Sequence, residues 1–148
     1  MTCNRSTPVS TWRRFLKLEQ LEIKSRRREE LIDVTGPVQK YIEKAGIRDG
    51  IVILYVPHTT AAVTINENAD PDVTRDILYK LQKEIPQQDG YHHGEGNSDA
   101  HVKSSIIGAS TQVIVADGRL LLGTWQGIYF CEFDGPRTRR LQIKAISD

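Results

Sequence analysis

Residues 51–56, Ile-Val-Ile-Leu-Tyr-Val, are continuously apolar and rich in β-branched side chains. Six such residues in a row are too short for a buried helix and suit a strand covered on both faces. Pro57 ends it, because proline brings no N–H to the ladder. Ala61 to Ile65 continues the extended chain. A second sharp signal is Asp70-Pro71-Asp72. Asp70 is placed to cap a helix, Pro71 to preset its first turn, and Asp72 to meet the positive end of its dipole. Val73, Ile77, Leu81 and Ile85 then step by four along one face, and Pro86 closes the helix.

The remaining pattern alternates strand and helix. Residues 12–18 (WRRFLKL) read as a first strand that 20–25 extends or pairs with, and 30–34 (ELIDV) as a short second one. The intervening charge run, Ser25 to Glu30, reads as a solvated turn. Thr35-Gly36-Pro37 opens a helix with Thr35 able to cap, and Val38, Tyr41, Ile42 and Ala45 form its apolar stripe before Gly46 stops it. Residues 101–108 suit two helical turns, with Ser98 or Asp99 as cap. Residues 111–116, the Asp117-Gly118 pair and residues 119–122 have the pattern of a hairpin with a primed turn. A long strand over 124–133 and a last one over 138–146 follow, the last with Leu141, Ile143 and Ala145 in phase. The expected architecture is a single-domain α/β (α+β) sandwich, a mixed and largely antiparallel sheet packed with a few helices. Residues 1–11 read as a disordered lead-in and 12–148 as the domain.

With 20 basic and 19 acidic side chains the net charge is +1, which gives no overall field toward nucleic acid or an anionic membrane. No stretch reaches the roughly 18 to 20 apolar residues of a membrane span. The two cysteines, Cys3 and Cys131, make a disulfide framework implausible, so reduced thiols in the cytoplasm are expected.

Chemistry gathers in few places. His58, with Thr59 and Thr60, follows a buried strand, whose end fixes side chains well. Residues 87–100 are polar, carry three glycines and include His92 and His93; a loop of that length is usually functional or disordered. His93 and His101 with Glu95 and Asp99 suit a divalent metal such as zinc or acid–base work near neutrality. The plainer alternative makes Asp99 a helix cap, His101 a packed first-turn residue and His92 structural. Asn66 to Asp70 offers oxygen ligands suited to magnesium, with Glu67 the member no turn or cap accounts for. Cys131 alternates with Trp125, Gly127, Tyr129 and Phe133 in an apolar strand, so a buried inert thiol competes with a nucleophile there. Arg137, Arg139 and Arg140 follow a Gly-Pro turn; Arg137 is best placed to grip phosphate, and Lys103 adds a point charge beside the loop.

His58 to Ala62, Asn66 to Val73, Gly96 to Lys103, Ser110 to Gly118, Gly123 to Ile128 and Cys131 to Arg137 together resemble, in order and spacing, the YjbQ family. The resemblance runs from about residue 12 to the C-terminus. It implies a compact α/β sandwich, a homotrimer, and secondary thiamine-phosphate synthase activity: hydroxymethylpyrimidine diphosphate joined to thiazole phosphate with release of pyrophosphate. On that reading His58, Glu67, Asp99 and Cys131 form the catalytic set. Asn97, Lys103 and Arg137 bind phosphate, and His93, His101 and Glu67 hold a magnesium or zinc ion. The same residues also suit a metal-dependent hydrolase or phosphoesterase, or a non-catalytic trimer that captures a small anionic metabolite.

Overall fold

The computed structural model describes residues 18–148. Residues 12–17 of the expected first strand lie outside that range. In chain order the elements are β1 (Glu19–Lys24), β2 (Glu30–Asp33), α1 (Thr35–Ala45), β3 (Gly50–Tyr55), β4 (Ala61–Glu67), α2 (Pro71–Glu84), α3 (Ser98–Ile107), β5 (Ser110–Ala116), β6 (Arg119–Leu120), β7 (Gln126–Glu132) and β8 (Thr138–Ser147). A five-stranded sheet runs β1-β8-β3-β5-β6 and a three-stranded sheet β2-β7-β4. Every pairing is antiparallel. Among the described residues no helix is long and apolar enough to cross a membrane.

The main core lies between the two sheets. Val52, Leu54, Val113, Val115, Leu141 and Ile143 face it from the larger sheet, and Val63, Ile128 and Phe130 from the smaller. Helix α1 adds Val38, Tyr41 and Ile42. The other face of the small sheet carries Ala62, Tyr129, Cys131 and Phe133 against Ala100 of α3 and Leu78 and Leu81 of α2. The period-two alternation of β7 therefore serves two cores, one per face.

Strand β3 departs from expectation. Val52 and Leu54 are fully buried, whereas Ile51 is 39% and Tyr55 50% exposed. The strand lies inside an antiparallel sheet whose second face is left uncovered by the described residues, so among them only one side of the apolar run is enclosed. In register, Ile51 stands beside both Ile114 and Ile146, leaving a row of three isoleucines on that outer face.

Helix starts also differ in detail. The residue before α1 is Val34, and no side chain caps it. Thr35 is already helical; its hydroxyl donates to Asp33 Oδ1 at 2.6 Å and accepts from Ile128 N–H at 2.8 Å, which pins the helix to β7. Helix α3 begins at Ser98, three residues earlier than expected, with Asn97 before it and no side-chain cap. At α2 the sequence signal holds: Asp70 Oδ1 accepts from Asp72 N–H at 2.9 Å, and the apolar stripe is half-buried. The Asp117-Gly118 turn has φ of 51° and 76°, the double positive pattern of a primed hairpin, although β6 is only two residues long.

Candidate functional site

The turn after β3 carries His58 to Thr60 over the start of β8. His58 Nε2 accepts the Arg140 backbone N–H at 2.9 Å. Burial, reinforced by the positive charge of Arg139, lowers the imidazole pKa. A neutral ring whose Nε2 accepts must carry its proton on Nδ1, so His58 is a hydrogen-bond donor through that nitrogen.

Opposite stands the beginning of α3. Ser104 Oγ donates to the Thr59 carbonyl at 2.6 Å, fastening α3 to the His58 turn. Asn97 Nδ2 donates to Asp134 Oδ2 at 2.9 Å, and Arg137 Nη2 donates to the same oxygen at 2.9 Å. Arg137 Nε also donates to the Asp134 carbonyl at 2.8 Å. Asp134 thus aims both Asn97 and the guanidinium. The space enclosed by the His58 turn, the α3 start and the 134–137 turn is a cavity of about 640 Å³, which His58, Asn97, His101 and Arg137 all line. Glu95, Asp134 and Arg139 add further charge to its wall.

Beneath it sits a buried ion pair that sequence reading missed. Arg139 donates to Glu132 Oε2 from Nε at 2.8 Å, to Glu132 Oε1 from Nη2 at 2.6 Å, and to Thr60 Oγ1 at 2.7 Å. Ser25 donates to Glu132 Oε2 at 2.9 Å and accepts the Arg137 backbone N–H at 2.9 Å. Every oxygen of this carboxylate is engaged, as a buried charge requires. A signal was present: Glu132 is in phase with Ile128 and Phe130, and Arg139 with Leu141 and Ile143, so both charges face the inter-sheet core.

The Ser25–Glu30 run is correspondingly not a solvated turn. Ser25 and Glu29 are buried. Arg28 grips Asp99 with two bonds, Nη1 to Oδ2 at 3.0 Å and Nη2 to Oδ1 at 2.9 Å, while the Arg28 carbonyl accepts Gly135 N–H at 2.9 Å. A Cβ on Gly135 would meet the Arg27 carbonyl oxygen at 2.4 Å, so this close approach needs glycine. The segment therefore braces two walls of the cavity, α3 and the 134–137 turn.

That brace reassigns two expected site residues. Asp99 is fully buried and Lys103 is 1% exposed. Lys103 Nζ donates to Asp99 Oδ2 at 2.9 Å and to Glu29 Oε1. Spaced four apart in α3, the pair shares one helix face, which borders a separate hollow of about 280 Å³ with Arg28 and Glu29. The ammonium is committed to two carboxylates rather than to phosphate in the main cavity, and Asp99 holds the brace rather than a place in its wall. Burial alone would raise the Asp99 carboxyl; the hydrogen bonds from Arg28 and Lys103 outweigh it and hold it down to about 2.

Two more expectations fall away from the cavity. Cys131 is enclosed under α2 and α3, its Sγ only 3.8 Å from the Tyr129 carbonyl, and burial pushes its pKa up to about 12. A nucleophile needs the thiolate, which such a site withholds at neutral pH. Glu67 ends β4 at the opposite end from the Ala61 side, about 20 Å along the strand. His93 and His101 do meet, ring edge to face with centroids 5.5 Å apart, and His93 Nε2 lies 3.5 Å from Glu95 Oε2. Among the described residues, however, no three His, Cys, Asp or Glu side chains are grouped to hold a metal ion. With Glu67 remote, the expected ligands His93, His101 and Glu67 do not come together around one ion.

Two antiparallel sheets, α2 and α3 on the outer face of the smaller one and a histidine- and arginine-lined cavity at the strand ends define the class as an α+β sandwich with a strand-end site. Residues 19–148 match the family model described as UPF0047 protein YjbQ-like, and the chain belongs to that family. It is 53% identical over 131 residues to UPF0047 protein MJ1081 of Methanocaldococcus jannaschii, covering 88% of this chain and 95% of that one. It is 55% identical over 130 residues to UPF0047 protein YugU of Bacillus subtilis, covering 87% and 98%. A crystal structure of a YjbQ/UPF0047 family protein from Clostridium acetobutylicum superposes with a TM-score of 0.85 at 52% identity, covering 86% of this chain and 99% of that one. A YbjQ-like protein from Sulfolobus solfataricus gives 0.86 at 32% identity, covering 90% and 98%.

Proposed function

We propose that the cavity binds a small phosphorylated substrate and carries thiamine-phosphate synthase chemistry, joining hydroxymethylpyrimidine diphosphate to thiazole phosphate. The observation that supports this most is the convergence of His58, His101 and Arg137 on one space. In the reaction the thiazole nitrogen forms a bond to the pyrimidine methylene carbon, the carbon–oxygen bond to the diphosphate breaks, and its electron pair leaves with pyrophosphate. Negative charge grows on the departing oxygens, and preoriented donors facing it lower the barrier. Arg137, already held by Asp134 through Nε and Nη2, keeps Nη1 for phosphate oxygens. His58 donates from Nδ1. His101, on the rigid first turns of α3, is the group for proton transfer to the leaving diphosphate.

The test is pyrophosphate release from the two substrates. A His101→Ala variant is expected to slow it about a hundredfold, the low end of what a positioned acid or base contributes. An unchanged rate would remove His101 from the mechanism, and tight binding with no product in the wild type would leave a binder of anionic metabolites instead.

The working form is proposed to be a homotrimer. The row of Ile51, Ile114 and Ile146, exposed among the described residues, supports it, since an apolar sheet face open to solvent favours association. An Ile114→Glu variant should sediment as a monomer where the wild type sediments as a trimer; wild-type protein sedimenting as a monomer would refute the assembly.

A further inference from the structure

His101 has a second neighbourhood. A hollow of about 460 Å³ shares His101 with the main cavity and no other lining residue. Its wall is made by Tyr91, His92, His93, Ser98 and Val102 together with His101. The two spaces differ sharply in chemistry. The first holds Glu95, Asp134, Arg137 and Arg139; the second has no carboxylate, guanidinium or ammonium in its lining.

What the second hollow does offer is flat and apolar surface. Tyr91 donates its hydroxyl to the Pro86 carbonyl at 2.9 Å, which fixes the ring. The edge-to-face contact of His93 with His101 sets two imidazole planes at 87° to each other. Val102, 39% exposed on the next position of α3, adds a branched aliphatic surface. Aromatic rings favour such edge and offset contacts over random packing. Pockets that orient small molecules commonly join a largely apolar chamber to a few convergent polar groups.

We propose that the two hollows form one bipartite site for a small molecule with a flat aromatic or heteroaromatic ring and a phosphate or diphosphate arm. The ring lies against Tyr91, His93 and Val102, the arm reaches Arg137, and the atoms joining them pass His101. This rests on reading the first cavity as an anion site. It adds where the ring sits and why His101, between the two, meets the bond that links ring to phosphate.

Calorimetric titration with methyl phosphate and benzyl phosphate tests it, because the two carry the same charged group and differ by one ring. Wild-type protein should bind benzyl phosphate roughly tenfold more tightly, the scale expected for sheltering part of an aromatic ring from water. Tyr91→Ala and Val102→Asp should each shrink that advantage while leaving methyl phosphate binding as it was. Arg137→Ala should weaken both ligands. Equal affinities in the wild type, or an advantage that survives both ring-side variants, would overturn the bipartite site while sparing the anion site. Failure of both ligands to bind would overturn the anion site and the inference with it.

Discussion

A Glu132→Ala substitution is expected to destabilise the protein by about 3–5 kcal/mol, the usual cost of stranding one member of a buried ion pair. Glu132 is fully buried and Arg139 is 3% exposed. The carboxylate engages Ser25, Arg139 and the Asp134 backbone N–H together. Removing it leaves a guanidinium enclosed with only Thr60 to hold. A Glu132→Leu/Arg139→Leu double variant should recover much of the loss, because the enclosed charges then disappear together. Urea unfolding of the three proteins measures this. A single-variant loss below about 1 kcal/mol, the range of exposed pairs, would show that the pair is hydrated in solution.

The second large effect is acid sensitivity centred on Asp99. Its carboxyl titrates at about 2 in the fold against an ordinary value of 3.8. A depressed folded value means the group favours folding once it is ionised in the unfolded chain, so its contribution is complete above about pH 4 and fades as pH falls toward 2. The contribution is roughly 2 kcal/mol at neutral pH. Unfolding free energy followed from pH 5 to 2.5 should fall steeply in the wild type. Asp99→Asn should be weaker at pH 7 and flatter over the acid range. Parallel curves for the two proteins would place the acid response elsewhere.

Much of the framework can be read in the sequence because its signals are local. Asp70-Pro71-Asp72 starts α2, Gly46 ends α1 with φ of 68°, and Asp117-Gly118 makes its turn. Each needs only its own neighbours. His58, Asn97, His101 and Arg137, which residue chemistry and the family resemblance single out in the sequence, line one cavity. The partners of charged residues were harder, since they lie far apart in the chain. Arg28 meets Asp99 across 71 positions and Ser25 meets Glu132 across 107. A run such as Ser25 to Glu30 looks the same whether water or a carboxylate awaits it. Ile51 and Tyr55 are exposed for a related reason: an apolar run states that both faces want cover, not whether the fold provides it.

The place of β8 has a consequence for synthesis. It is the last strand in chain order, yet it lies between β1 and β3, pairing with both. Until residues 138–147 leave the ribosome, β1 lacks the strand it pairs with among the described residues and β3 keeps an open edge, so the larger sheet is completed only once β8 has emerged. A nascent chain stalled before Thr138 should expose that edge to chaperones and to other unfinished copies of itself.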